Sequence, residues 1–175
     1  MDHLKSIIRS VPDFPVQGIL FRDITTLLKD ADAFGEVIDR LAEMFEETEV
    51  DLVAGVESRG FIFGAPLAYE LGAGFVPIRK PGRLPAEKIH REYALEYGTN
   101  RLEIHVDAIE PGQRVLIIDD LLATGGTARA SAELVEALGG QVVGAAFVIE
   151  LGFLNGREAL AAYPVVSLIE FDAEE

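Results

Sequence analysis

The chain has 175 residues, enough for one compact domain, and no cysteine, which excludes disulfides, thiolate metal sites and a cysteine nucleophile. Its formal charge of -15 comes from 30 acidic against 15 basic side chains, a surface that repels nucleic acid and anionic membranes. Three histidines without ligand spacing, no secretory leader pattern, and no run near the roughly 20 apolar residues that span a bilayer lead to one expectation: a soluble, cytoplasmic protein without structural zinc.

Residues 2–9 predict a short helix. Pro12, Pro15 and Gly18 then interrupt any regular element. From Asp32, a plausible N-cap, the residues Phe34, Val37, Ile38, Leu41 and Phe45 recur at helical spacing. Leu52 to Val56 reads as a buried strand, residues 60–71 as a helix, and Gly74 to Ile78 as a second strand. Residues 79–91 hold Arg79, Lys80, Arg83, Lys88 and Arg91 against the single acid Glu87, and Pro81, Gly82 and Pro85 predict a loop. Such a basic cluster in an acidic chain suggests a site for a small anion. Arg101 to Val106 alternates as a half-exposed strand does, and Glu110 to Gly112 is a turn. Val115 to Ile118 is a strand core, followed by a helix from about Ala128 to Leu138 that ends at Gly139-Gly140. Val142 to Ile149, a short helix near Arg157 to Ala161 and a strand from Val165 to Ile169 complete the chain. Strands alternating with helices indicate one α/β domain over residues 1–175, with a mostly parallel central sheet and helices on both faces.

The strongest signal is Val115 to Thr127, VLIIDDLLATGGT. A buried strand ends in the carboxylates Asp119 and Asp120, and a loop of small residues leads into a helix. Ligands of open α/β sheets bind at the carboxyl ends of the strands. A glycine-containing loop at a helix N-terminus offers free N–H groups and the positive end of the helix dipole. Ala123, Thr124, Gly125, Gly126 and Thr127 therefore suit a monophosphate. The neighbouring carboxylates suit vicinal hydroxyls, or a magnesium ion held through water. A phosphate beside a diol describes ribose 5-phosphate. Taken piecemeal, the same residues make an ordinary strand-to-helix turn. The chain has neither a GxxxxGK[ST] loop nor GxGxxG at this position, which argues against nucleoside triphosphates and dinucleotides.

This run resembles the phosphoribosyl-diphosphate signature of the type I phosphoribosyltransferases. Phe14-Pro15 with Gly18, and Phe21 to Ile24, resemble the base-recognition region of the adenine phosphoribosyltransferases. Glu57 to Phe61 resembles that family's diphosphate turn, and Ile78 to Lys80 and Glu92 to Gly98 resemble the ends of its mobile catalytic loop. The resemblance implies a type I phosphoribosyltransferase fold with an N-terminal hood over about residues 1–30 and a mobile loop over about 79–98. It also implies a homodimer, Mg²⁺ dependence, and the reaction of adenine with phosphoribosyl diphosphate to give AMP. By the same resemblance Ser58 and Arg59 face the diphosphate, often next to a non-proline cis peptide, here Glu57-Ser58. Arg79, Lys80 and Arg83 neutralise the diphosphate, with Arg59 and Lys80 acting at the leaving group. Leu20, Phe21 and the backbone of Arg22 receive adenine, Tyr97 lines the site, and Leu151 to Leu154 close over the base. Glu96 takes up the imidazole proton or fixes the reactive tautomer. No covalent nucleophile is needed.

Two other readings remain: a phosphoribosyltransferase for a 6-oxopurine (xanthine, hypoxanthine or guanine), and a non-catalytic sensor of phosphoribosyl diphosphate. The Phe21 region argues against the first. The acidic chain, with an N-terminus too short for a helix-turn-helix, argues against the second. Residues 86–91 and the acidic tail after Ile169 carry no diagnostic signal.

Overall fold

In the computed structural model, which describes residues 1–95 and 98–173, helix α1 (Asp2–Ile7) leads into strand β1 (Arg9–Val11). This strand pairs antiparallel with β2 (Phe21–Asp23). The segment between them turns through Asp13, at φ 57°, and a cis Phe14-Pro15 bond. Helices α2 (Thr25–Leu28) and α3 (Ala31–Met44) follow. The cap of α3 is Asp30 rather than Asp32: the Asp30 carboxylate accepts from the backbone N–H of Asp32 and Ala33. Two acids two residues apart compete for this place, and Asp30 alone has the extended backbone of a cap.

The central sheet is fully parallel. It contains β3 (Leu52–Val56), β4 (Gly74–Ile78), β7 (Arg114–Leu122), β8 (Gln141–Leu151) and β9 (Val165–Phe171), in the spatial order β4-β3-β7-β8-β9. Strands β5 (Lys88–Leu95) and β6 (Gly98–His105) form a separate antiparallel hairpin. Helix α4 (Arg59–Glu70) connects β3 to β4, and α5 (Gly126–Ala137) connects β7 to β8. The hairpin is rooted at the end of β4, where Arg79 and Glu103 exchange both backbone hydrogen bonds, at 2.9 and 2.7 Å.

Alternation along β7 explains the layers. Leu116 and Ile118 pack with Val37 and Leu41 of α3 and Phe63 and Leu67 of α4. Val115 and Ile117 pack with Leu134 and Val135 of α5 and Ile104 of the hairpin. All four strand residues are fully buried, each contributing about 1.5–3 kcal/mol of burial. Helix α4 lies close on the sheet because of its glycines. A Cβ on Gly64 would stand 2.9 Å from Ile118, and one on Gly60 would stand 2.9 Å from the Ile118 carbonyl oxygen.

Several boundaries differ from the sequence expectation: the first helix ends at Ile7 and Arg9 opens β1, β6 begins at Gly98 and α5 at Gly126. The basic segment is not loop throughout: Lys88 to Arg91 belong to β5, because their partners in β6 supply a register that local composition does not reveal. Strand β7 continues through both aspartates to Leu122, held by pairing with β8 at Asp119–Phe147 and Leu122–Glu150. The segment near Arg157 is a 3₁₀ turn over Gly156–Leu160, preceded by another at Gly152–Leu154. Among the described residues, no helix is long and apolar enough to cross a membrane.

Candidate functional site

One cleft opens at the carboxyl end of β7, between Arg59, Asp119, Asp120, residues 121–128 and Phe147. Gly125, at φ +84°, caps α5 and turns the chain from strand to helix. The first turn of α5 has no intrahelical acceptor for its N–H groups, so these are available to an anion. The sequence-predicted residues Ala123, Thr124, Gly125, Gly126 and Thr127 all line this cleft together with the two aspartates.

The aspartates occupy different environments. Asp120 is buried and takes an ion pair from Nε of Arg59. Asp119 accepts from the backbone N–H of Asp120 at 2.8 Å. Burial, then the adjacent Asp120 carboxylate, push the Asp119 carboxyl well above its usual range. A carboxyl in this position gains from any group that donates hydrogen bonds to it or brings positive charge, as ribose hydroxyls and a hydrated cation do.

Ser58 and Arg59 stand at the start of α4, directly after β3, and the Glu57-Ser58 peptide is cis, as the resemblance implied. Arg79 lies behind this turn. It donates to Glu57 at 3.1 and 3.4 Å, and to the Arg83 carbonyl at 3.2 Å. The Lys80 backbone N–H also donates to Glu57, at 3.0 Å. Burial raises the Glu57 carboxyl, but these bonds and the nearby guanidinium groups outweigh it and hold the group below its usual range. Arg79 is thus tied to the Glu57-Ser58 turn through Glu57, while Lys80 is exposed. In the sequence Glu57 was the first residue of the Glu57 to Phe61 resemblance, with no role of its own.

A second cleft, mostly apolar, lies under the hood between Val11, Phe14, Phe21, Asp23, Ile24, Thr25 and Arg59. Phe14 meets Phe21 edge-on, at 5.1 Å between ring centres. Asp23 is fixed by Arg9 and by the backbone N–H and hydroxyl of Thr25. The Arg22 side chain is buried, 3.9 Å over the Phe171 ring, and donates to Ser10. Arg22 itself does not line this cleft. Leu20 is half-buried and does not line this cleft, and none of Leu151 to Leu154 lines either cleft. Arg59 lines both clefts, with its guanidinium 5.7 Å from the Phe21 ring centre.

Tyr93 was missed in the sequence. From β5 its hydroxyl accepts from Thr127 at 3.1 Å, and its ring would lie 3.2 Å from a Cβ on Gly126. The contact spans 34 residues, and no local pattern announces it. Glu96 and Tyr97 lie outside the described residues. Among the described residues no group of three His, Cys, Asp or Glu side chains is placed to hold a metal ion. The Asp119–Asp120 pair fits an ion carried mainly by a substrate's phosphates and reached through water.

Residues 25–171 match the family model of the phosphoribosyl transferase domain. The chain is 65% identical over 168 residues to an adenine phosphoribosyltransferase of Chloroflexus aurantiacus, covering 96% of this chain and 97% of the relative. The crystal structure of adenine phosphoribosyltransferase from Thermoanaerobacter pseudethanolicus is 59% identical, with a TM-score of 0.95 and coverage of 97% and 99%. The enzyme from Saccharomyces cerevisiae, solved with an imino-altritol bisphosphate and adenine, is 44% identical, with a TM-score of 0.90 and coverage of 95% and 97%.

Proposed function

This chain belongs to the adenine phosphoribosyltransferase family, and from that premise we propose how its two clefts divide the family's reaction. The reaction joins adenine to the phosphoribosyl group of phosphoribosyl diphosphate, giving AMP and diphosphate, a step of purine salvage. The identities leave no support for a 6-oxopurine enzyme or a non-catalytic sensor. One observation carries the assignment of the clefts: Arg59 lines both, so the phosphate-type loop and the aromatic cleft meet at a single cation.

The backbone amides of Ala123 to Thr127, with the Thr124 and Thr127 hydroxyls, take the 5-phosphate. Asp119 and Asp120 accept hydrogen bonds from the ribose hydroxyls. On binding, Arg59 exchanges Asp120 for the diphosphate, which it grips as a fork. Ser58 contributes at the same turn, and Lys80 and Arg83 add positive charge, with Arg79 held by Glu57 beside them. Phe21 stacks on adenine, and the main chain at Arg22 reads its edge. Adenine's 6-amino group needs an acceptor and its N1 a donor, which one peptide unit supplies.

As the bond from the anomeric carbon to diphosphate breaks, the sugar becomes positive and the leaving group negative. Arg59 and Lys80 stabilise the leaving group. The grip on the 5-phosphate, at the far end of the sugar, orients the reacting carbon. Adenine attacks the opposite face, and its imidazole proton passes to Glu96 in this proposal, with Tyr97 beside it. The segment over residues 79–98 serves as the lid that excludes water. Mg²⁺ is the proposed cofactor; carried mainly by the substrate diphosphate, it would be reached by Asp119 and Asp120 through water and would supply further charge neutralisation. The working form is a cytoplasmic homodimer.

The test is AMP formation from adenine, phosphoribosyl diphosphate and Mg²⁺, with hypoxanthine, guanine and xanthine in parallel. Turnover with adenine alone is expected. Arg59→Gln should lower kcat/KM by on the order of a hundredfold or more, as loss of a preorganised transition-state donor does. An active Arg59→Gln protein would overturn the assignment of the clefts.

A further inference from the structure

The loop that receives the 5-phosphate does not stand alone. Its outer side rests against the 3₁₀ turn Gly156–Leu160, backbone against backbone. A Cβ on Gly156 would lie 2.3 Å from the Ala123 carbonyl oxygen, and one on Gly125 would lie 2.4 Å from the Gly156 carbonyl oxygen. Each segment thus fills the space that a side chain on the other would need. Approach this close transmits displacement, because neither backbone has room to yield.

The turn is pinned at both ends. Leu160 is fully buried. At the other end Arg157 grips the buried Glu150 of β8 with two hydrogen bonds of 2.7 Å. Arg157 also donates to the Val165 carbonyl at 2.9 Å and to the Ser167 hydroxyl at 3.0 Å, both on β9, and Ser167 in turn donates to Glu150. Burial would raise the Glu150 carboxyl, but the bonds from Arg157 and Ser167 hold it below its usual range, so it stays charged at neutral pH. A buried carboxylate at the end of β8 is costly unless such a fork answers it, and none of these three side chains lines either cleft.

We infer that Arg157, through Glu150 and Ser167, is a positioning residue for the phosphate loop, and that Gly156 is the contact through which it acts. The inference rests on the assignment of Ala123 to Thr127 to the 5-phosphate. Arg157 fixes the 3₁₀ turn to β8 and β9, and the turn sets the height of Ala123 and Gly125. Loosening the fork lets the loop amides drift from the geometry a phosphate requires, while the hood cleft keeps its own supports.

The experiment compares the full-length protein with Arg157→Met, Arg157→Lys and Gly156→Ala. The readouts are KM for each substrate, kcat, ribose 5-phosphate binding by calorimetry, and thermal unfolding. Arg157→Met should weaken ribose 5-phosphate binding and raise KM for phosphoribosyl diphosphate by on the order of tenfold, the scale of a small misplacement transmitted from outside the site. KM for adenine should move less than about twofold, because no contact on its side of the cleft has changed. Arg157→Lys, which keeps the charge but not the fork, should recover part of the loss. Gly156→Ala should reproduce the loss without touching Arg157, and it carries the test if Arg157→Met does not fold. Thr127→Val, inside the loop, serves as the control. If it weakens ribose 5-phosphate binding and the Arg157 and Gly156 variants do not, the positioning role is overturned alone. If none of them weakens binding, the phosphate assignment itself fails. A parallel rise in KM for both substrates with early unfolding would mean general loosening, and would also overturn the positioning role.

Discussion

The phosphate side of the site rests on β7, which is flanked by strands on both sides and buried on both faces, whereas the hood rests on β1 and β2, three residues each and paired only with one another. In the proposed division, the groups offered to a phosphate are backbone amides placed by glycines. Under the hood the groups are aromatic rings and a network of side-chain hydrogen bonds among Arg9, Asp23 and Thr25. A phosphate presents the same oxygens in every substrate, so a rigid backbone cradle suits it. A base must enter, be read at its edge and leave, which suits a thin element at the surface.

The contrast predicts unequal damage. Gly125→Ala should have the largest effect: its Cβ would meet the Gly156 carbonyl oxygen at a residue already at φ +84°. The strain should lower stability by about 1–3 kcal/mol and kcat/KM by roughly a hundredfold, measured by unfolding and steady-state kinetics. Phe21→Ala should cost less and elsewhere, about 1–3 kcal/mol of stacking, seen as a rise in KM for adenine with ribose 5-phosphate binding unchanged. A loss of ribose 5-phosphate binding in that variant would break the division into two clefts.

The smallest effect separates the two regions by sign. The Asp119 carboxyl is raised by burial and by Asp120. Its contribution to stability is therefore complete below the ordinary carboxylate range and is lost as pH rises through the raised value. Asp119→Asn should remove that loss, raising Tm near neutral pH by roughly 2–4 °C while weakening ribose 5-phosphate binding. The hood carboxylate Asp23 behaves oppositely. Hydrogen bonds from the Thr25 backbone and hydroxyl, then Arg9, bring it down to about 2, so it stabilises above the ordinary range and loses that effect only as pH falls toward about 2. Asp23→Asn should lower Tm at neutral pH. Melting curves of both variants across pH test the pair.

Legibility in the sequence follows the same division. Leu52 to Val56 and Gly74 to Ile78 were readable to the residue, because each is a short apolar run bounded by turn residues. The turn from Ala123 into α5 was readable because small residues and glycines mark it locally, although α5 starts at Gly126, two residues before the expected Ala128. Strand β7 was cut short at Ile118, since two aspartates look like an end when the neighbouring strand that holds them is out of view. In the β5–β6 hairpin, Arg101 to His105 of β6 was readable from its alternation, but β5 was hidden by Pro81, Gly82 and Pro85, and the register exists only between the strands. Tyr93 on Thr127, Glu57 on Arg79 and Arg157 on Glu150 are side-chain meetings fixed by the fold, and spacing cannot express them.

The hood is secured from the far end of the chain. Lys5 donates to the Glu170 carbonyl, and both Lys5 and Arg22 lie over the Phe171 ring, at 4.6 and 3.9 Å. The Lys5–Glu170 bond joins residues 165 apart, and loop closure over such separations comes late and slowly. On a ribosome, strands β3, β4 and β7 emerge long before β9, so the frame of the β7 cleft is synthesised well ahead of the strand that docks the hood. The hood strands β1 and β2, which precede the whole sheet in the chain, wait through its synthesis for that partner.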